Sequence, residues 1–283
     1  RRWNLARLLT GRGLGGYQYS SAFLGAAESQ IALECGGARV ISFHQQFPRA
    51  GGSAGEGSAI FRYIDATFAS LCQTEIGRRL PRRVREAALE TERANYAAAP
   101  RVVTMARWAA ESVVRDCGVP ADKVATILPG ANFDLPLDHA LGVVPGRPGR
   151  DRPLVLGFIG KDWRRKGLLF LLAVREELER MNLKAVVRAA GHCPPELRRT
   201  RGLEFVGFIN KAREPKKFVE FLSGCDVGCL FSEREPLGIS TLEFLRAGVP
   251  VAGFTVEGLA DTLPPDAGFR FVPQATVETV AEG

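Results

Sequence analysis

Two glutamates, Glu235 and Glu243, stand with seven residues between them around the start of a predicted helix. From Ser232, the chain leaves a predicted strand and enters that helix through a short loop that Pro236 stiffens. Gly238 has no side chain to keep the backbone away from a ligand. The first N–H groups of a helix are unpaired and lie at the positive end of its dipole, so they suit a pyrophosphate. Side chains there lean toward the N-terminus, which lets both carboxylates face one ligand.

Two lysines supply the opposite charge at an earlier point in the chain. Lys161 and Lys166 lie where the apolar run Leu154 to Ile159 leaves the predicted sheet and the next helix begins. In open α/β sheets, ligands bind beyond the carboxyl ends of the strands, so we expect the lysines at the same edge as the glutamates. Both can point at phosphates there. Taken alone, such a run is more often a solvated basic loop.

The glutamate pair is continued by Phe244-Leu245-Arg246-Ala247-Gly248-Val249-Pro250-Val251-Ala252. The whole pattern resembles the signature of glycosyltransferase family 4, which is also described as glycosyl transferases group 1 and has the GT-B fold. The resemblance implies that Glu235 contacts the donor sugar and that Glu243 holds the ribose hydroxyls. It also implies that three backbone N–H groups contact sugar or phosphate, those of Leu237, Gly238 and Ile239. The alternative is two solvated carboxylates around a helix start.

The segment Phe158 to Gly167 resembles the same family, which commonly has Gly-Arg and then Lys-Gly here. The resemblance implies that two cations clamp the diphosphate of the donor, and it assigns them to Lys161 and Lys166. Lys161 departs from the family pattern because it replaces an arginine. A lysine neutralises charge but cannot form the bidentate fork of a guanidinium. Lys166 is therefore the closer match of the two.

One histidine is a further candidate. His44 follows the predicted strand Arg39 to Phe43 at its carboxyl end. The run Ser42-Phe43-His44 resembles the site of an active-site histidine in many members of the family, which implies that His44 lies across the cleft from Glu235. A structural histidine is the alternative. The candidate catalytic residues are thus Glu235, His44 and Lys166.

Short apolar runs alternate with longer amphipathic segments along the chain, and this alternation indicates the elements that position these residues. It predicts an α/β protein with parallel sheets. A stretch rich in Pro, Gly and charge predicts an interdomain linker at 133–152. We therefore expect a partial N-terminal, acceptor-side domain at 1–132 and a donor-binding domain at 153–283. The resemblance implies two Rossmann-like domains whose sheets face across a cleft. It also implies that the first domain lacks its opening strand and the second its final helices.

Individual strands are predicted from the apolar runs themselves. In the first half they are Ser20 to Gly25, Ala38 to Phe43, Val102 to Met105 and Val124 to Leu128. In the second half they are Leu154 to Ile159, Ala185 to Ala190, Leu203 to Gly207, Val227 to Phe231 and Val249 to Phe254. Helical segments are predicted at Trp108 to Cys117, Lys166 to Met181 and Ile239 to Ala247.

Composition places the chain among ordinary globular proteins, since 46% of its 283 residues are hydrophobic and 24% are charged. Its longest apolar runs are far shorter than the roughly 20 residues of a membrane span. Six cysteines without framework spacing indicate free thiols and a cytoplasmic protein. Cys225 and Cys229 have no second pair nearby, which favours core packing over zinc. The chain starts at Arg1 without a signal-peptide pattern, so we expect its true start to lie elsewhere.

The net charge of +7 is concentrated in the first half, where Arg78 to Arg85 contains five arginines. Such a run suits an anionic surface, either the inner face of a membrane or a phosphorylated acceptor. A solvated helix face is the alternative. Nucleic-acid binding would require interleaved aromatic residues or a known module, so no nucleic-acid partner is expected.

Together these observations predict a retaining glycosyltransferase that moves a sugar from a nucleoside-diphosphate sugar to a hydroxyl acceptor, in glycan, polysaccharide or glycolipid synthesis. Retention follows from the resemblance alone. Without paired histidines or an Asp-x-Asp pattern, no metal or other cofactor is expected, and the cations would stabilise the leaving diphosphate. Two alternatives stay open: a nucleotide-sugar-binding module without activity, and an epimerase or phosphorylase of the same GT-B architecture.

Overall fold

The computed structural model of the protein describes residues 21–35, 38–50, 59–133 and 151–283. The chain divides into two compact units, Arg1–Leu128 and Pro129–Gly283. Most of the predicted linker at 133–152 lies outside the described residues.

The N-terminal unit is built on a parallel sheet. Its elements in chain order are α1 (Ser21–Cys35), β1 (Arg39–Ser42), β2 (Ala59–Ile64), α2 (Phe68–Cys72), α3 (Glu75–Arg78), α4 (Arg82–Ala98), β3 (Val102–Thr104), α5 (Arg107–Cys117) and β4 (Val124–Thr126). Within the described residues, four strands pair in parallel in the order β1-β2-β3-β4. Parallel neighbours need crossover connections, which α2 to α4 supply between β2 and β3, and α5 between β3 and β4.

The core of this unit joins the two longest crossover helices to the sheet. Tyr96 of α4 and Val113 of α5 are fully buried against Ile64 and Val102 of the central strands. Helix α5 ends at Gly118, whose φ of 72° closes the helix in the left-handed conformation. The predicted helix Trp108 to Cys117 is therefore confirmed to within one residue.

The predicted strand Ser20 to Gly25 is wrong, because the described part of this segment is the start of helix α1. The residues from Ser21 to Gln30 include three alanines in addition to Leu24 and contain no β-branched residue. Alanine and leucine favour helices, whereas strands favour β-branched and aromatic side chains. The short apolar run thus carried no strand signal of its own. Strand β2 and its connection α2 to α4 were not predicted individually.

The C-terminal unit contains a larger parallel sheet. Its elements in chain order are β5 (Leu154–Gly160), α6 (Leu168–Arg180), β6 (Ala185–Gly191), β7 (Leu203–Gly207), α7 (Pro215–Ser223), β8 (Val227–Leu230), α8 (Ile239–Arg246), β9 (Val251–Phe254), α9 (Leu259–Thr262), β10 (Gly268–Phe271) and α10 (Val277–Glu282). Among the described residues, six strands form one sheet in the order β10-β9-β8-β5-β6-β7. The five strands predicted for this half coincide with β5 to β9, each to within two residues.

Core clusters cover both faces of this sheet, as strand β5 illustrates. Successive side chains of a strand point to opposite faces. Leu156 and Phe158 pack in one cluster with Leu168 and Leu171 of α6. Val155 packs in a second cluster, which contains the buried phenylalanines of α7 and α8. A strand buried on both faces has a continuous apolar sequence. This pattern is the reason that β5 could be predicted from the sequence.

The direction in which successive strands are added to the sheet reverses at its centre. Strands β5, β6 and β7 follow one another toward one edge of the sheet, whereas β8, β9 and β10 start on the other side of β5 and run toward the opposite edge. Such a switch point opens a crevice beyond the carboxyl ends of the strands. The loops that follow β5 and β8 flank this crevice, and they are the loops that carry the lysine and glutamate motifs.

Candidate active site

The glutamate loop connects β8 to α8 at the carboxyl edge of the sheet. Gly238 caps the N-terminus of α8 with a φ of 75°, a left-handed conformation that L side chains rarely adopt. A β-carbon at this position would lie 2.7 Å from Cδ1 of Leu259. Both conditions favour glycine, so the turn into α8 depends on the residue that the sequence pattern singled out.

Four donors converge on the Glu235 carboxylate within the described residues. Its Oε2 lies 3.0 Å from Nζ of Lys166 and 3.4 Å from Nη1 of Arg165, and Oγ of Ser232 donates to the same oxygen at 3.3 Å. The backbone N–H of Gly238 donates to Oε1 at 3.3 Å. The Glu235 side chain is only 10% exposed. Because charge-assisted hydrogen bonds are the strong ones, this carboxylate is held in one orientation.

The lysine loop and the glutamate loop are joined through their backbones. The N–H of Glu233 donates to the carbonyl of Arg165 at 2.9 Å, and the Arg165 guanidinium donates to the carbonyl of Arg234. Gly167 begins α6 with a φ of 80°, and a β-carbon there would lie 2.2 Å from the carbonyl oxygen of Phe231. The two motifs, separated by some 70 residues in the chain, therefore form one structure.

Glu243 lies in α8 and is completely buried. Its Oε1 forms an ion pair with Nζ of Lys211, in the loop that follows β7. Its Oε2 has no hydrogen-bond partner in the described part of the chain. Burial raises the pKa of Glu243 above its ordinary value, even though the hydrogen bond and charge of Lys211, and the charge of Lys166, act to lower it. A buried acceptor without a partner is uncommon, so this oxygen lacks a hydrogen bond that a ligand hydroxyl could supply, and the role of Glu243 toward ribose stays a prediction.

The remaining donor-site candidates are placed as follows. Lys161 is exposed and follows β5, but its Nζ lies over the ring of Phe208, 5.5 Å from the centroid, and forms no ion pair with Glu235. Leu237 and Ile239 flank Gly238 at the start of α8. The structure therefore brings Lys166 and Glu235 into contact, whereas the diphosphate clamp by Lys161 stays a prediction.

The loop after β9 braces the glutamate loop from a second side. Arg234 forms an ion pair with Glu257, with Nε 2.7 Å from Oε1. Oγ1 of Thr262 in α9 donates to the carbonyl of Leu237 at 2.8 Å. Glu257 has a φ of 46°, in the left-handed region. A non-glycine residue held there is typical of functional loops that the surrounding structure constrains.

His44 lies in the N-terminal unit, two residues after the end of β1, and is half-buried. Its Nδ1 accepts a hydrogen bond from the backbone N–H of Gln46 at 3.0 Å, and its ring stacks on Phe47 at 4.2 Å. Nη1 of the buried Arg62 donates to the backbone carbonyl of His44 at 3.1 Å. Burial, followed by the charge of Arg62, lowers the pKa of His44. The placement of His44 opposite Glu235 stays a prediction.

Sequence reasoning missed several residues that contact the candidates. Arg165 was part of the basic run, but nothing in the run distinguished it from Arg164. Lys211 follows β7 at the carboxyl edge of the sheet, and that position was the only available signal. Arg62 lies inside a strand that was not predicted. Each acts on a partner at least 18 residues away in the chain, and such pairs have no local sequence pattern.

Among the described residues, no group of three or more His, Cys, Asp or Glu side chains is arranged to hold a metal ion. Cys225 and Cys229 are buried in the two core clusters of the C-terminal unit. None of the described helices combines the length and the apolar character that crossing a bilayer requires.

The fold and the site define an α/β protein with parallel sheets and a candidate anion site beyond the carboxyl ends of its strands. Residues 153–283 match the family model described as Glycosyl transferases group 1. This match confirms the resemblance that the two motifs carry, at the level of that group. Assignment to glycosyltransferase family 4 in particular stays a prediction.

A curated relative and two solved structures are similar to the chain. An uncharacterized glycosyltransferase of Methanocaldococcus jannaschii is 27% identical over 201 residues, which cover 64% of this chain and 49% of the relative. WaaG, a glycosyltransferase involved in lipopolysaccharide biosynthesis, aligns with a TM-score of 0.67 at 16% identity, covering 93% of this chain and 71% of its own. HepE from Anabaena, solved in complex with UDP, aligns with a TM-score of 0.64 at 14% identity, covering 91% of this chain and 71% of its own.

These structural likenesses confirm the predicted fold class, an α/β protein with parallel sheets of the GT-B type. The chain spans about half the length of the curated relative, 49%.

Proposed function

We propose that the protein is a retaining glycosyltransferase, and that its C-terminal unit binds a nucleoside-diphosphate sugar whose sugar is moved to a hydroxyl acceptor. The observation that carries the proposal is the cluster around Glu235, where a fixed carboxylate, Lys166 and the N-terminus of α8 meet at the switch point of the sheet. The family match over residues 153–283 supports it. HepE, a protein of similar fold, was solved with UDP, which supports a nucleotide donor.

The mechanism we propose follows from the charges. As the bond between sugar and diphosphate breaks, negative charge grows on the leaving diphosphate. Lys166, with Lys161 and the N–H groups at the start of α8, would stabilise that charge more in the transition state than in the ground state. In this arrangement Lys166 links Glu235 to the diphosphate, and the leaving group needs no metal.

Glu235 would act on the sugar while it carries partial positive charge at the anomeric carbon. Its carboxylate is ion-paired with Lys166 and Arg165, and those cations keep it oriented. Glu243 would bind the ribose hydroxyls through its unpartnered Oε2. The ribose does not change during transfer, so Glu243 would contribute to affinity and not to the chemical step.

His44 would serve as a hydrogen-bond donor to the sugar. Because Nδ1 accepts from the Gln46 N–H, the proton of the neutral imidazole lies on Nε2. A lowered pKa keeps the ring neutral near pH 7. A neutral imidazole in this tautomer donates from Nε2 and does not act as a general base there.

The first test is ligand binding by thermal shift with UDP, GDP and ADP. A nucleotide present at 100 times its Kd stabilises the folded state by about 2.7 kcal/mol. We expect at least one of the three to raise the unfolding temperature, and Glu243→Ala to reduce that shift by about half or more. Glu233→Gln, at an exposed position of the same loop, is the matched control and should leave the shift unchanged.

Product analysis with and without an acceptor separates the proposal from its alternatives. A glycosyltransferase forms a glycoside only when a hydroxyl acceptor is present. An epimerase changes the nucleotide sugar without any acceptor, and a phosphorylase requires phosphate. Binding without turnover in every condition would favour an inactive donor-binding module. We further propose a cytoplasmic location and an acceptor of glycan or lipid type, for which the Arg78 to Arg85 surface is the candidate contact.

A further inference from the structure

The ion pair between Lys211 and Glu243 joins two residues that differ greatly in exposure. The Glu243 side chain is 1% exposed, whereas that of Lys211 is 29% exposed. The Lys211 ammonium also lies over the ring of Phe218, 4.6 Å from the centroid. The lysine thus reaches inward from a solvent-accessible loop, across an aromatic face, to the carboxylate that we propose for ribose binding.

We propose that Lys211 is a positioning residue for nucleotide binding, which keeps Glu243 ionised and oriented until the ribose hydroxyls of the donor bind its carboxylate. This inference rests on the proposed function. It concerns a residue that neither sequence motif contains.

The unpartnered oxygen of Glu243 carries the argument. Leaving a buried acceptor without a partner is costly. Here Lys211 occupies Oε1, while Oε2 has no partner among the described residues. No described residue donates to the second oxygen, which is itself buried, so a ribose hydroxyl would supply that hydrogen bond once nucleotide binding uncovers the atom.

The charge of Lys211 is needed because the position of Glu243 opposes ionisation. Burial raises the pKa of Glu243, and the largest opposing influence is the Lys211 hydrogen bond. Among the described residues, the other cation acting on the carboxylate is Lys166, from the loop before α6, which contributes through its charge and not through a hydrogen bond. Without Lys211, Glu243 should take up a proton at a higher pH. A protonated Glu243 has lost the charge that strengthens its hydrogen bonds to hydroxyls.

The test measures nucleotide binding as a function of pH by titration calorimetry. The probes are UDP, GDP and ADP, and the one that binds the wild type most tightly is used between pH 6 and pH 8. Lys211→Met removes the charge, Lys211→Arg keeps it, and Lys217→Met is the control. Lys217 is also paired with a glutamate, Glu214, but that pair is exposed on α7.

Each affinity ratio between pH 8 and pH 6 is divided by the wild-type ratio, which cancels the titration of the nucleotide itself. We expect Lys211→Met to lose affinity toward pH 6 by at least about fivefold more than the wild type, since binding falls tenfold per pH unit below the pKa of a required carboxylate. Lys211→Arg and Lys217→Met should follow the wild type. A Lys211→Met variant with the wild-type pH profile, or a Lys211→Arg variant with the altered one, would overturn the inference.

A second measurement needs no nucleotide and keeps the inference separate from the proposed function. The carboxyl carbon of Glu243 is followed by NMR during a pH titration and assigned with Glu243→Gln. We expect the pKa of Glu243 to be higher in Lys211→Met than in the wild type. An unchanged pKa contradicts the inference even if nucleotides bind. If no nucleotide binds the wild type at all, the proposed function fails, whatever the titration gives.

Discussion

Glu235→Gln is the substitution that examines the candidate site most closely, because it keeps the side-chain shape and removes the charge. In the wild type, Oε2 accepts from Lys166, Arg165 and Ser232, while Oε1 accepts from the Gly238 N–H. A glutamine has one acceptor oxygen and one NH₂ group. Either orientation therefore places a donor against a donor, beside the two cations or beside the helix N-terminus.

The magnitude follows from these contacts. Hydrogen bonds that involve a charged group contribute about 1.5 to 3 kcal/mol each. Lys166 is 14% exposed and Arg165 is 35% exposed, so water can hydrate both cations once the charge is gone. We therefore expect the free energy of unfolding to fall by no more than about 2 kcal/mol. We expect the lost charge beside the sugar to lower kcat by about ten- to a hundredfold, since 1.4 kcal/mol corresponds to a factor of ten.

The assay compares three quantities in the wild type, Glu235→Gln and the control Glu233→Gln. They are the unfolding temperature, the Kd of the sugar-free nucleotide and the kcat of donor consumption. We expect the nucleotide Kd to stay within about threefold, because in the proposed site Glu235 would contact the sugar and not the nucleotide. Full kcat in Glu235→Gln would refute the role of this carboxylate. A nucleotide Kd that weakens as much as kcat falls would refute the division between sugar and nucleotide sites.

Four further substitutions test neighbouring parts of the account. Lys166→Ala should lower kcat more than donor affinity, because charge grows on the leaving group as the bond breaks; equal losses in kinetic assays would contradict this. Glu243→Ala should weaken donor binding by about ten- to a hundredfold with little change in kcat, measured as KM and kcat. Gly238→Ala should destabilise the protein by about 1 to 3 kcal/mol in thermal unfolding, owing to its φ of 75° and the contact with Leu259. Changing the arginines of Arg78 to Arg85 to glutamine should reduce sedimentation with anionic liposomes at low salt, and unchanged association would leave the run as a solvated surface.

The donor-side elements could be predicted because their signals are local. Strands buried on both faces are continuous apolar runs, as β5 is, and they locate the loops that follow them. Gly238 and Gly167 mark the two turns into helices, where their left-handed conformations are required. The motif spacing therefore identified the loops that carry Lys166 and Glu235, which the structure brings into contact.

Other features could not be predicted, for two physical reasons. The strand prediction at the start of helix α1 is wrong because a short apolar run has no period of its own, and only the alanine content there favours a helix. The partners of Glu235 and Glu243 depend on the tertiary fold. Lys211 meets Glu243 across 32 residues and Arg165 meets Glu235 across 70. The direction of the backbone decides which of several adjacent basic residues makes such a contact. The residue types alone do not specify that direction.

The most direct test of the proposed activity is an NMR time course with an α-configured nucleoside-diphosphate sugar and hydroxyl acceptors. The donor is chosen by the nucleotide that gives the largest thermal shift. We expect nucleoside diphosphate to appear together with one new glycosidic anomeric signal of α configuration, only when an acceptor is present, and Glu235→Gln to slow both signals alike. A β-configured product would contradict retention. Donor that binds but is epimerised, or is never consumed with any acceptor, would contradict sugar transfer itself.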